Sequence, residues 1–230
     1  MKRTLLTILS LVLLLPAAAL ADDDFVSLFD GKSLDGWTQR NGTATYRVED
    51  GAIVGRTAKN SPNSFLCTDK AYCDFELLFD VMVDKGLNSG CQIRSRSSKD
   101  YNNERVHGPQ VEIETAPGES AYIYGEATGR GWLSPNQNIK DAYKNDQWNT
   151  FRVVAVGPRI QTFINDVPVE DLTDEKSSQC GFIGLQVHGV GDRGPFEVRW
   201  RNIKIKDLAP EKTEKAQDVQ FTPAPDVKKK

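Results

Sequence analysis

Beyond its N-terminal segment this chain of 230 residues has no long apolar run. Nothing in its body therefore reads as a membrane-spanning helix, which needs about 20 apolar residues. A sustained 3.6-residue apolar period is missing too, and with it any amphipathic helix of ordinary length. No basic run interrupts the body and the formal charge is −3, which argues against nucleic acid or an anionic membrane as partner. The four cysteines follow no structural zinc spacing. Ser-His-Asp and Cys-His nucleophile signatures are absent. Gly189 to Gly194 formally matches Gly-x-Gly-x-x-Gly, but Pro195 and a strand pattern follow instead of a phosphate-receiving helix. That segment reads as a hairpin loop, and it implies no nucleotide.

What is there begins with a basic Met1-Lys2-Arg3, an apolar Leu5 to Leu15 and a small-residue exit ending at Ala21. Residues 1–21 carry the expectation of a secretory signal peptide and of a periplasmic or secreted protein. Cleavage there removes Lys2 and Arg3 and no acid, taking the formal charge from −3 to −5. Cys67 and Cys73 flank a turn-like Thr68 to Tyr72 and are the expected local disulfide. Cys91 and Cys180 are left to pair across strands or to stay buried. Residues 22–208 read as one domain, and residues 209–230, rich in Pro, Lys, Glu and Gln, as a disordered tail.

Within that domain nearly every segment is a short strand ended by Gly, Asn, Asp or Pro, for example Phe75 to Val83, Thr150 to Val156 and Gly181 to His188. Many strands at short spacing without intervening helices predict an all-β, antiparallel jelly-roll sandwich with a concave binding face. Three strands load one face with reactive groups: Gln92, Arg94 and Arg96; Gln110, Glu112 and Glu114; Gln186 and His188. Side chains at i and i+2 share a strand face, so three adjacent strands of this kind make a polar cleft fit for a sugar. Asn88 sits in the turn entering the first of them. A histidine hydrogen-bonded within the sheet is the structural alternative for His188. Residues 119–144 form a glycine- and aromatic-rich connection with Tyr122, Tyr124, Trp132 and Tyr143. Such loops often bind ligand, and Gly-flanked Trp132 is the ring placed to stack on a sugar.

Several motifs together resemble the 3-keto-disaccharide hydrolase domain family. They are Phe29-Asp30-Gly31-Lys32-Ser33-Leu34-Asp35-Gly36-Trp37, Asn88-Ser89-Gly90-Cys91-Gln92-Ile93-Arg94, Gly108-Pro109-Gln110-Val111-Glu112-Ile113-Glu114, and the late pair Leu185-Gln186-Val187-His188 with Arg201-Asn202-Ile203. The resemblance spans about Phe25 to Leu208 and implies a concanavalin A-like or laminin-G-like fold. Members often carry an aspartate near the end of the Gln110 strand, where this chain has Glu114 and Thr115. Trp200 stands in place of a usual Phe.

The resemblance implies a substrate oxidised at C3 of a glucose-like ring and supplied by an upstream sugar 3-dehydrogenase. A C3 ketone acidifies the C2 proton, so the glycosidic bond breaks by elimination and water then adds. Such chemistry needs a base, a donor for the enolate and an acid for the leaving oxygen. The candidates are Glu112 or Glu114 as base, Arg94 or His188 near the enolate, and His188 or the second carboxyl as acid. Gln110, Gln186, Arg96, Trp132 and Asn88 are the candidate substrate contacts. Glu112, Glu114 and His188 also offer donors for a divalent metal ion; no other cofactor is implied. A conventional glycosidase using the Glu112–Glu114 pair, and a non-catalytic carbohydrate-binding module, are the alternatives. Same-face neighbours lie about 6.6 Å apart along a strand, which excludes neither glycosidase geometry.

Overall fold

A computed structural model describes residues 24–221; the expected signal peptide lies outside them. The described residues form fifteen strands and one helix. They are β1 (Val26–Ser27), β2 (Trp37–Arg40), β3 (Thr45–Glu49), β4 (Ala52–Arg56), β5 (Ser64–Tyr72), β6 (Phe75–Val83), β7 (Asn88–Ser95) and β8 (Gly108–Glu114). There follow β9 (Ile123–Glu126), β10 (Gly131–Trp132), β11 (Asn149–Val156), β12 (Arg159–Ile164), β13 (Val167–Thr173), β14 (Gly181–Val187), β15 (Glu197–Asp207) and α1 (Pro210–Phe221). One antiparallel sheet runs β13-β12-β11-β6-β15-β4-β3, with β1 paired to β15; the other runs β10-β9-β8-β7-β14-β5-β2. This is the expected jelly-roll sandwich.

The alternation that predicts the strands also builds the core. Phe75, Leu77, Phe79, Val81 and Val83 of β6 point inward while their neighbours stay partly exposed. They meet Phe151, Val153 and Ala155 of β11, with Phe79 and Phe151 stacked at 5.2 Å between ring centroids. From the other sheet, Cys91, Ile93, Val111, Ile113, Ile123 and Leu185 fill the same core. Burying each large apolar side chain stabilises the fold by roughly 1.5–3 kcal/mol.

The second sheet departs from simple alternation. β7, β8 and β14 are buried almost throughout, polar face included. The cover is the β7–β8 connection, residues 97–107, which folds back across the sheet as a strap. Val106 packs with Phe65, Cys67 and Phe182 in a small separate cluster on the outer face. Asn41 pins the strap by accepting from Val106 N (2.8 Å) and donating to Glu104 O (3.1 Å).

Four expectations need correction. Thr68 to Tyr72 is not a turn but the end of β5, so Cys67 and Cys73 are separated by on the order of 20 Å of extended chain, at ~3.3 Å per residue. The disulfide is Cys73–Cys180, and Cys67 and Cys91 are free and buried. Of the expected disordered tail, residues 210–221 are helical and residues 222–230 lie outside the described residues: α1 docks on β5, where Gln217 accepts from Ala71 N and donates to Ala71 O. Its few apolar residues hid it, because polar clasps rather than an apolar stripe attach it. Finally, the 189–194 segment joins β14 to β15 in the opposite sheet; it is an arch, not a hairpin.

Candidate active site

The outer face of the second sheet is assembled by register. Phe65, Gln186, Gly90 and Glu112 lie in one row across β5, β14, β7 and β8. Cys67, Gly184, Gln92, Gln110, Tyr124 and Trp132 form the next, reaching β10. Gly90 is required here, since a Cβ would come within 2.5 Å of the Gln110 side chain lying over it.

The amides form one directed chain. Ser95 Oγ donates to Gln92 Oε1 (2.6 Å) and Gln92 Nε2 to Gln110 Oε1 (2.6 Å). Gln186 Nε2 donates to the same oxygen (2.7 Å), and Gln110 Nε2 to Glu112 Oε2 (2.7 Å). Asn88 Nδ2 donates to Glu112 Oε1. Gln110 cannot flip without facing two donors with a third, so the chain delivers N–H groups to both oxygens of Glu112. Gln92 and Gln186 are fully buried and Glu112 is 6% exposed; buried polar groups are tolerated only when paired in this way.

Burial pushes the Glu112 carboxyl up, the Gln110 and Asn88 amides pull against it, and Glu114 and Glu126 add repulsion; it settles at about 7. Glu114 is also pushed up to about 7, by burial and by sharing a hydrogen bond with the Glu119 carboxyl. Glu119 is held low in turn by Glu114 and by Lys140, 2.8 Å away. Two neighbouring carboxyls on β8 therefore titrate near neutrality. That is the range in which one can donate and the other accept a proton.

Gln110, Glu112, Glu114, Gln186 and Asn88 are thus brought together as the sequence suggests. Trp132 is 41% exposed at the sheet edge, edge-on to Tyr124 at 5.3 Å, in the Gln110 row. Tyr122 and Tyr143 are buried and pack the loop instead, accepting from Ile139 N and Val83 N. His188 follows β14, one step beyond the Val187–Ser89 pair and so level with Asn88. Its Nδ1 is bonded to Gly189 O (2.7 Å). Because a carbonyl only accepts, that nitrogen carries the proton and Nε2 of the neutral ring bears the lone pair.

Two expected residues are elsewhere. A bulge in β7 sets Ile93 and Arg94 opposite Ile183 alone, and Arg94 takes a left-handed backbone (φ 49°). Its side chain leaves the outer face for the end of the core. There Nε donates to Cys73 O (2.6 Å), Nη1 to Gly157 O (2.6 Å) and Nη2 to Asp74 Oδ1 (3.1 Å), over the Phe75 ring. Arg96 is exposed beyond the bulge, bridged to His107 and reaching Cys180 O at 3.5 Å. Nor do Glu112, Glu114 and His188 form a ligand set: among the described residues no three His, Cys, Asp or Glu side chains gather to hold a metal.

Sequence reading missed the strap. Arg105, from that loop, donates to Glu126 of β9 and lies over the Phe65 ring at 5.4 Å. His107 stacks on Tyr101 at 3.8 Å between ring centroids, and Tyr101 donates to Ala127 O. No sequence period marks these residues, since the strap is irregular.

The family described as 3-keto-alpha-glucoside-1,2-lyase-like domain matches residues 24–206. Among solved structures, a candidate glycosyl hydrolase from Parabacteroides distasonis ATCC 8503 is 22% identical with a TM-score of 0.59, over 80% of this chain and 94% of that one. A Bacillus subtilis protein with a galectin-like fold has a TM-score of 0.56 at 10% identity, over 76% and 92%. Carbohydrate-binding module CBM66 from Bacillus subtilis has a TM-score of 0.50 at 19% identity, over 74% and 95%. These likenesses establish the fold. No curated protein matches the chain significantly.

Proposed function

Since the chain belongs to the 3-keto-alpha-glucoside-1,2-lyase-like domain family, and its function is carbohydrate-related, we propose that it is an exported enzyme cleaving 3-keto-glycosides by elimination followed by hydration. The observation carrying this reading is Glu112: nearly buried, both oxygens fed by amide donors, with a pKa of about 7 beside a second carboxyl raised equally.

Glu112, held as an acceptor, takes the C2 proton. The C–H electron pair forms the C2=C3 bond and the ketone oxygen becomes an enolate. Collapse of the enolate restores C3=O, forms C1=C2 and expels the C1 substituent, whose oxygen takes the proton carried by Glu114. Water then adds back across C1=C2, with His188 Nε2 as its acceptor. Gln110, Gln186 and Asn88 hold the carboxyls and the ring, and Trp132 stacks on the sugar or its aglycone. A reaction oxidising the C3 hydroxyl must precede this one. The Cys73–Cys180 bridge suits an oxidising compartment outside the cytoplasm.

The test is to incubate the protein with a 3-keto-glucoside and with its unoxidised parent. Cleavage of the keto compound alone is expected, with Glu112→Gln slower by about 10²–10⁴-fold. Cleavage of the parent would make it a conventional glycosidase, and binding without turnover a carbohydrate-binding module.

A further inference from the structure

Elimination through an enolate needs positive charge at the C3 oxygen, and Arg94 does not supply it. On this face, the amide nitrogens of Gln92, Gln110 and Gln186 each commit one N–H to a neighbour. The one atom of these side chains left buried without a partner is an acceptor, Gln186 Oε1. The network fixes its direction, because turning the amide would set it against Gln110 Oε1. That oxygen calls for a hydroxyl, which donates, and is mismatched to a ketone, which only accepts. The complement of a ketone lies in the strap above. Arg105 spends Nη2 on Glu126, while its Nε and Nη1 have no hydrogen-bond partner among the described residues; its side chain is 21% exposed. Its guanidinium stands 5.4 Å from the Phe65 ring centroid, at the head of the row that runs through Gln186 and Gly90 to Glu112. Its partner Glu126 is near enough for its charge to act on Glu112. Arg40, also a cation, is stacked on Phe182 at the β2 edge, three strands short of β8.

Resting on the function proposed above, we propose that Arg105 is a catalytic residue that binds the C3 keto oxygen and stabilises the enolate, while Gln186 Oε1 receives a ring hydroxyl. The pair sets the substrate class: a sugar with a carbonyl at C3 and a hydroxyl donor on the opposite rim. An unoxidised ring develops no charge for Arg105 to stabilise, so the parent glycoside is bound but not cleaved.

The step is isolated with 3-keto-1,5-anhydroglucitol, which has an acidic C2 proton but no exocyclic leaving group at C1. In deuterated water, exchange at C2 is followed by NMR. The wild-type protein is expected to exchange C2, and Arg105→Ala to slow this by about 10²–10³-fold, as for loss of an oxyanion donor. Arg105→Lys keeps a charge opposite Glu126 but loses the planar fork; it is expected to lose about tenfold or more in exchange kcat with KM little changed, and decides the matter if the alanine variant fails to fold. Full-rate exchange by a folded Arg105 variant overturns the role of Arg105 alone. Cleavage by the wild type without C2 exchange overturns the enolate and this role with it. Neither exchange nor cleavage of any 3-keto-glucoside overturns the function on which it rests.

Discussion

Glu112 and Glu114 have the same side chain, two positions apart on one strand, yet their surroundings assign them different work. Glu112 faces two amide donors and is set to accept; Glu114 shares a hydrogen bond with the Glu119 carboxyl and is set to hold a proton. With both near 7, the cleavage rate of a 3-keto-glucoside should be bell-shaped in pH around neutrality, the two limbs belonging to the pair. Rate falls below the optimum as Glu112 gains a proton and above it as Glu114 loses one. Glu114→Gln should abolish the alkaline limb. It should also move the acid limb down, because a repelling charge beside Glu112 is gone. A nitrophenyl leaving group, which needs no acid, should restore most of the rate to Glu114→Gln and none to Glu112→Gln. An unchanged alkaline limb in Glu114→Gln would remove that carboxyl from the mechanism.

At the scale of elements, strand alternation placed Gln110, Glu112 and Gln186 on one face but misplaced Arg94. Alternation assumes an unbroken pleat, and the β7 bulge breaks it between Gln92 and Ser95. Gly181 records the same event, since a Cβ there would come within 2.3 Å of Arg94 carbonyl carbon. Arg94 is instead a tie between β7 and the β6 entrance. Burial lowers it to about 10, so it stays charged at neutral pH. Burial pushes Asp74 up, but Lys212, the Gly157 amide and Arg94 outweigh this and hold its carboxyl low. Removing one partner of such a buried pair costs about 3–5 kcal/mol. Urea unfolding of Arg94→Ala should show a loss of that size with KM for substrate unaltered. A raised KM with normal stability would return Arg94 to the site.

For the molecule as a whole, the Cys73–Cys180 bridge, the Arg94–Asp74 pair and α1 converge on one corner. Thr213 accepts from Cys73 N at 3.3 Å, and Lys212 donates to Asp74 at 2.9 Å. The bridge joins positions 107 apart in sequence, a span for which loop-closure entropy predicts about 4.7 kcal/mol, with about 2–4 typically measured. Cys73→Ser should therefore lower the thermal midpoint and expose α1 to protease before the sandwich unfolds. Simultaneous cleavage throughout would show that the helix is not held by this corner.

The sequence by itself determined the sandwich, its inward residues and the amide–carboxylate face, because period-two alternation is local and each strand carries it independently. Tertiary structure alone decided the disulfide partner, the direction of Arg94, the docking of α1 and the Arg105 strap over the outer face. Each of these depends on a bulge, an irregular loop or a clasp between segments far apart in the chain, and such contacts leave no periodic mark on the residues that make them.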